Sequence, residues 1–443
     1  MQVAGVELNG ARVLVVGLAR SGFAAAELLA RHGALVTATD SRPLAPEGLT
    51  FVAQTDDAAK GHALVVISPG VPIDAPLLEN ARRDGIPVIA EVELASYFLA
   101  GPIIGVTGSN GKTTTTSLIG HILRESGVAV QVGGNIGTPP SAMVTASRAD
   151  QWNVLELSSF QLEAISHFRA KIGVCLNLTP DHLDRHGTME VYAGAKRRLF
   201  ETQDAEGFGV LNADDPWCVS YAAAMPSRPL WFSLHRPVDP GLWRDETGRL
   251  VFDGEPLMDA AEIPLRGMHN VENVLAAAGA ARLAGATLAQ IAAAVKTFPG
   301  VEHRLERVRS VDGVEYFNDS KATNVDAALK AVEAFDGGLW IILGGKDKGS
   351  DYRPLREPLT AKAHAALLIG AAAEKIAGQL DGAVPLVRCG TIAEAVRYAH
   401  HSAKQNDVVL LAPACASFDQ FENFEQRGRV FKDLVRGLEG KAA

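Results

Sequence analysis

The sequence predicts an α/β protein of three units, each alternating short strands with helices. Three observations predict this. At about 150 residues per domain, 443 residues are too many for one core. Strand-like runs end repeatedly at glycine-bearing turns that open helical patterns, the mark of a parallel sheet. Glycine itself supplies 43 of the 443 residues, above the usual ~7%.

The elements follow in order. Arg12–Val16 is a β-branched run, residues 17–22 a turn, and residues 23–32 carry helical apolar spacing. Leu35–Thr39 and residues 63–67 are further strands, the last closed by Ser68-Pro69-Gly70. This unit ends near residues 95–101. A second opens with Ile103–Thr107, a glycine loop to Lys112 and a helix from Thr113, and continues through strands at 154–157 and 172–176. Residues 226–264, rich in Pro, Asp and Gly, read as a small β-rich excursion or a long surface connection. An Ala-rich helix pair follows, about 271–283 and 288–297, and Phe298-Pro299-Gly300 marks a boundary. A third unit has strands at 314–318, 339–343, 366–369 and 408–411.

Composition excludes several classes. With 47% apolar and 21% charged residues the chain is not globally disordered. It has no run near the ~18 apolar residues of a membrane span, and its N-terminus lacks the pattern of a signal peptide. Cys175, Cys218, Cys389 and Cys415 are too scattered for a disulfide framework or a CxxC metal site. That usage fits a reducing compartment, so the expectation is a cytoplasmic protein without membrane insertion. A net charge of −9 argues against a nucleic-acid partner.

The first glycine turn, Gly17-Leu18-Ala19-Arg20-Ser21-Gly22, resembles a dinucleotide fingerprint, with Asp40 beyond it. Ala19 stands where a glycine would let the backbone approach a pyrophosphate closely. A nucleotide diphosphate at the helix N-terminus is therefore favoured over NAD, and a plain packing turn stays open. The second turn is sharper. In Thr107-Gly108-Ser109-Asn110-Gly111-Lys112-Thr113-Thr114, glycines turn backbone N–H groups toward phosphate, Lys112 supplies a point charge, and the Thr113 hydroxyl can ligate Mg²⁺. The spacing is a shortened GxxGK[ST]. ATP with Mg²⁺ is the inference.

Glu156 ends an apolar strand, where a carboxylate is costly to bury alone. A Mg²⁺ shared with Thr113 would satisfy it, and a helix-cap role stays open. Asp181 and His182 leave the next strand as candidates for a second metal or for substrate, or as a solvated capping loop. Lys196, taken alone, reads as a solvated helix lysine. Past the boundary, Arg304 could reach a phosphate. Polar loops at 318–324, 343–349 and 412–421 follow strands, at the edge where α/β sheets bind ligands.

TGSNGKTT, ELSSFQLE, TPDHLDRH, GMHNVENVLAA, EHRLE, NDSKATN, LGGKDKG and PACASFDQFENFEQRG occur in this order across essentially the whole chain. Together they closely resemble the Mur ligases of peptidoglycan synthesis, the last motif most closely the D-glutamate-adding members. The resemblance implies an N-terminal Rossmann-like domain for the UDP-substrate (1–97), a central P-loop ATPase with a mostly parallel sheet (98–300) and a C-terminal Rossmann-like domain (301–443). It implies a cytoplasmic monomer acting on UDP-N-acetylmuramoyl-L-alanine, D-glutamate and ATP through an acyl phosphate.

Site residues carried over by resemblance are as follows. One Mg²⁺ (Mn²⁺ is an alternative) is held by Thr113 and Glu156, and a second by His182 and a carbamylated Lys196. Gly108, Ser109, Asn110, Gly111, Lys112, Thr113 and Thr114 cradle phosphates. Asn270 and Asn273 are adenine-side, Arg304 meets phosphate, and Asp319 and Lys321 meet ribose and phosphate. Leu18, Ala19, Asp40, Ser41, Arg42, Ser68 and Gly70 face the uridine diphosphate. Asn135, Ser159 and His182 face the muramoyl substrate. Thr323, Lys348, Ser417 and Phe424 face D-glutamate, with Lys346 and Asp347 as alternatives to Lys348. Catalysis is assigned to Lys112, His182, Lys196 and Arg304.

Overall fold

The computed structural model describes residues 1–42 and 48–440. Its chain forms two compact units. One comprises Met1–Glu262 with Glu272–Phe298, the other Ile263–Val271 with Pro299–Ala443.

The first unit contains two large sheets. The smaller is all parallel, in the order Thr50–Phe51, Leu35–Thr39, Arg12–Val16, Leu64–Ile67, Val88–Ala90. Chain order reverses beside Arg12–Val16, which opens a crevice beyond the carboxyl ends of that strand and of Leu64–Ile67. The helix Arg20–Arg31 packs close over the turn between them. A Cβ at Gly22 would lie 1.9 Å from the Gly17 carbonyl oxygen, so this fingerprint glycine serves helix–strand packing.

The larger sheet has nine strands. Ile103–Thr107 is the third strand from one edge, between Trp152–Glu156 and Ile172–Cys175, with Val130–Gly134 outside the former. All five residues of Ile103–Thr107 are buried, which explains its unbroken apolar character. Beyond Ile172–Cys175 come Phe208–Asn212, Arg228–Ser233 and Gly241–Arg244, still parallel. Arg249–Phe252 and Glu255–Asp259 then close the edge as antiparallel strands. The β-rich expectation for residues 226–264 holds, and the long connection does not: four strands between Arg228 and Asp259 extend the larger sheet, where an existing edge offers free N–H and C=O groups.

In the second unit six strands run in the order Glu306–Val311, Val314–Asn318, Val408–Leu411, Leu339–Gly344, Ala363–Ile369, Leu386–Gly390. The first pair is antiparallel and the rest are parallel. Apolar clusters cover both faces. Among the described residues, no helix is long and apolar enough to cross a membrane.

A short helix, Glu91–Ser96, leaves the smaller sheet of the first unit and carries two buried acids. The Glu93 carboxylate accepts four hydrogen bonds from the larger sheet's domain. They come from the backbone N–H groups of Ser166, His167 and Phe168 and from the Ser166 hydroxyl, at 2.6–3.1 Å. Glu93→Ala would leave these buried donors unmet. At about 1–3 kcal/mol for each orphaned group, partly offset by water, a loss of roughly 3 kcal/mol is expected. Urea unfolding of the two proteins measures it, and a midpoint equal to wild type would show that the four bonds do not anchor the turn.

Candidate active site

The phosphate loop leaves Ile103–Thr107 in the larger sheet and enters the helix Lys112–Glu125. Asn177, at the end of the neighbouring strand, holds its shape. Its carbonyl accepts Ser109 N–H at 2.8 Å, and its side-chain oxygen accepts Asn110 N–H at 2.9 Å. The Ser109 hydroxyl donates to the Thr179 carbonyl and lies 2.9 Å from the Tyr192 hydroxyl. Gly111 has φ +83°, and a Cβ there would lie 2.2 Å from Asn273 Oδ1, so only glycine fits the turn. Lys112 folds back, its Nζ donating to the carbonyls of Gly108 and Ser109 at 2.8 and 2.7 Å. Thr114 is buried beside Thr113.

Glu156 ends its strand beside this loop and is almost wholly buried. Its Oε2 accepts the Thr113 hydroxyl at 2.7 Å and its Oε1 the Asn135 amide at 2.9 Å. Among the described residues no Lys or Arg nitrogen lies within 4 Å of it. A buried carboxylate served by neutral donors, next to a hydroxyl and a phosphate cradle, offers the hard oxygen ligands that Mg²⁺ takes. The donor set fits the ion. The helix after it is fixed by a Ser158–Gln161 capping box, which leaves Ser159 buried and 2.9 Å from His186 Nε2.

Lys196 overturns the reading made from the residues alone. It is 1% exposed, not solvated. The helix Met189–Glu201 buries Tyr192, Lys196, Leu199 and Phe200 on one stripe, and Lys196 occupies an apolar position in that repeat. Its Nζ donates to the Gly108 carbonyl at 2.9 Å and lies 4.7 Å from the Tyr192 ring centre. Burial first, and then the charge of Lys112, push its pKa down to about 7. His182 sits at φ +53°, with its side chain half open to solvent and its ring 4.8 Å from that of Phe160. Desolvation, opposed by Asp181 but reinforced by Lys112 and Lys196, lowers its pKa.

The crevice of the smaller sheet holds a cavity of about 470 Å³. Its lining includes Ala19, Asp40, Ser41, Arg42, Ser68 and Gly70, and Asn135 from the larger sheet. Leu18 is a core residue, and its part is backbone: its N–H donates to Asp40 Oδ2 at 2.7 Å. The Arg42 side chain also bonds Asp40 and, against the effect of burial, holds its carboxyl down at about 2.

In the second unit, Arg427 joins two of the polar loops. It is almost wholly buried and donates to the Ser320 carbonyl at 2.8 Å and the Cys415 carbonyl at 3.2 Å. Lys321 Nζ lies 3.8 Å from the Phe424 ring centre, and Thr323 N–H donates to the Lys321 carbonyl. Ser417 is buried. Asp319 is buried too, and burial raises its carboxyl to about 7 although Arg304 pulls the other way. Lys346 is bridged to Ala416, Asp347 bonds Lys375 and Tyr352, and Lys348 is exposed. Asn270 donates to the Arg266 carbonyl within this unit, whereas Asn273 bonds Thr115 within the first. Glu302, His303 and Glu306 cluster as metal ligands would, but the Lys432 ammonium already pairs with both acids, at 2.5 and 2.9 Å. Sequence reasoning missed Asn177, Tyr192, Arg185 and Arg427 as site-building residues. Arg185 and Arg427 lie inside the quoted motifs, Asn177 stands just before TPDHLDRH, and Tyr192 lies on the buried stripe of the Lys196 helix, whose periodicity was the available signal for it.

Three family descriptions match the chain: Mur ligase MurD-like N-terminal domain over residues 11–90, Mur ligase middle domain over 106–281, and Mur ligase glutamate ligase domain over 303–415. The chain is 61% identical to a UDP-N-acetylmuramoylalanine–D-glutamate ligase of Solibacter usitatus, covering 98% of this chain and 100% of the relative. The chain belongs to the Mur ligase family. This Mur ligase is also 53% identical to the enzyme of the same description from Acidobacterium capsulatum, over 99% of each chain. Solved structures share its three-domain α/β fold. A pseudomurein peptide ligase type C from Methanothermus fervidus has TM-score 0.63 and 19% identity, covering 97% of this chain and 100% of that one. A UDP-N-acetylmuramate–alanine ligase from Thermotoga maritima has TM-score 0.62 and 18% identity, covering 96% and 99%.

The buried amine of this Mur ligase gives a pH signature. Its native pKa is about 7, while an unfolded lysine keeps its proton to about 10.4. Below pH 7 both states are protonated and the native state bears the full cost of the buried charge. Between about 7 and 10 the unfolded state binds more protons, so this group makes stability rise with pH. In CO₂-stripped buffer, Lys196→Met is expected to remove that rise from the urea midpoint. Parallel pH profiles for the two proteins would contradict the buried ammonium.

Proposed function

We propose that this chain is an ATP-dependent ligase that joins D-glutamate to UDP-N-acetylmuramoyl-L-alanine in peptidoglycan precursor synthesis. The observation that carries the proposal is full-length identity of 61% to a ligase of that description. The phosphate loop, with its strand-end carboxylate, supports it. The domain limits proposed are 1–97, 98–300 and 301–443, and the protein acts as a cytoplasmic monomer.

In this reaction an oxygen of the alanyl carboxylate attacks the γ-phosphorus of ATP and ADP leaves. The amino nitrogen of D-glutamate then attacks the acyl phosphate carbon. The tetrahedral adduct expels phosphate, the nitrogen loses its proton, and the amide remains. Anion meets anion throughout, so positioning and charge stabilisation carry most of the catalysis. Lys112, the backbone of residues 108–114 and Arg304 hold phosphate charge. Asp319 and Lys321 serve ribose and phosphate, Asn270 and Asn273 the adenine side. Asn135, Ser159 and His182 orient the muramoyl end. Thr323, Lys348, Ser417 and Phe424 receive D-glutamate. Mg²⁺ held by Thr113 and Glu156, and a second ion held by His182 and carbamylated Lys196, supply Lewis-acid charge neutralisation when bound, with Mn²⁺ a substitute.

The depressed pKa of Lys196 supports the carbamate. Near pH 7 much of the amine is neutral and can add to CO₂, losing a proton to give an anionic oxygen ligand. The reading is tested by ATP-dependent phosphate release with UDP-N-acetylmuramoyl-L-alanine and, in turn, D-Glu, L-Glu, L-Ala and diaminopimelate. D-Glu is expected to be strongly preferred, and equal rates would sink the assignment. Lys112→Ala is expected to lower turnover by roughly 10²–10³-fold, by analogy with the loss of one charge-stabilising donor. Lys196→Ala is expected to be inactive and partly restored by a small carboxylate such as acetate. Failure with and without acetate would count against the carbamate.

A further inference from the structure

Arg185 lies three residues beyond His182, in the short helix Leu183–His186. Its guanidinium reaches back to the turn that follows Leu64–Ile67 of the smaller sheet. Nη1 donates to the Pro69 carbonyl at 3.0 Å. Nη2 donates to the Val71 carbonyl at 2.9 Å and to Glu163 Oε2 at 2.8 Å. Pro69 and Val71 line the 470 Å³ cavity beside Ser68 and Gly70. The guanidinium carbon stands 3.9 Å from the Phe160 ring centre. That ring in turn lies edge-on to His182 at 4.8 Å and stacks on His186 at 5.4 Å. The His182 carbonyl accepts the N–H groups of Arg185 and His186, and its φ of +53° is a conformation a histidine keeps only when neighbours hold it. Glu163 also faces His186 Nδ1 at 3.4 Å, and His186 Nε2 meets the Ser159 hydroxyl.

One mostly buried group therefore touches the cavity wall on one side and, through Phe160, the His182 turn on the other. We infer that Arg185 is a positioning residue that couples occupancy of the nucleotide-sugar cavity to the placement of His182. A ligand that orders the Ser68–Val71 turn fixes two carbonyls. A planar fork can follow both while keeping its ion pair, whereas a lysine point charge cannot. The coupling is reciprocal, so a nucleotide triphosphate–metal complex bound near His182 strengthens sugar-nucleotide binding by the same factor. The inference rests on the ligase reading for the identity of the cavity's ligand.

Calorimetric titration tests it. The probe is Mn²⁺ with the non-hydrolysable analogue AMP-PNP, titrated with and without saturating UDP-N-acetylmuramoyl-L-alanine. In the wild type the sugar nucleotide is expected to tighten AMP-PNP binding. In Arg185→Ala and Arg185→Lys that enhancement is expected to fall by roughly fivefold or more, the lower range of site-to-site coupling. Affinity for AMP-PNP alone should stay within about twofold. An undiminished enhancement overturns the inference, and so does an equal weakening with and without the sugar nucleotide, which marks a merely structural role. Phe160→Leu keeps the bonds to Pro69 and Val71 but removes the ring against His182, and must show the same loss. Unchanged coupling in that variant overturns the inference even if Arg185→Ala does not fold. A wild type that binds no sugar nucleotide at all would instead overturn the ligase reading.

Discussion

The centre of this Mur ligase depends on a carboxylate that is taken out of water without a cation of its own. Glu156 is nearly inaccessible and bonds the neutral side chains of Thr113 and Asn135. Isolated burial of such a charge is costly, and two neutral donors offset only part of the cost. Its position follows from the sheet. Glu156 pairs in register with Val106, one residue before the strand gives way to the phosphate loop. The acid cannot move away from the loop without disturbing that ladder. Backbone topology thus places a buried anion beside the glycine loop that follows Ile103–Thr107, where the oxygen donors of Thr113 and Glu156 would suit a divalent cation.

Two glycine turns in the same unit are built differently. The loop at 108–111 needs left-handed glycine at Gly111, because the Asn273 side chain fills the space a Cβ would take. The first turn carries Ala19 where the fingerprint has a glycine, and it opens onto a cavity of about 470 Å³ at a reversal of strand order. Its own acid, Asp40, is spent on Leu18 N–H and Arg42 rather than left free for a dinucleotide ribose. The departure at residue 19 and the bonding of Asp40 are two signs of one choice.

Legibility in the sequence followed the range of the interaction. Strands such as Arg12–Val16, Ile103–Thr107 and Val408–Leu411 were readable because local β-branched runs and glycine punctuation specify them. The phosphate loop was readable because strand, glycines and Lys-Thr are contiguous. Lys196 was not, because burial depends on which face of its helix meets the loop. The Tyr192–Lys196–Leu199 spacing held that information, but a lysine in an apolar repeat looks like an interruption. Arg185 was hidden more deeply. Its acceptors are backbone carbonyls of Pro69 and Val71, and a carbonyl leaves no trace in side-chain identity. Residues 226–264 were ambiguous because their strands are short and owe their state to the sheet edge they join.

The charged groups around the glycine loop act on one another. Lys112 lowers the pKa of Lys196, and both lower that of His182. The cations sit too close for mutual comfort, yet none forms an ion pair with Glu156. Without ligands the site therefore holds charges of both signs that do not cancel in place. Converting the Lys196 amine to a carbamate reverses the sign of one of them. In the carbamate proposed above, the repulsion with Lys112 would become attraction.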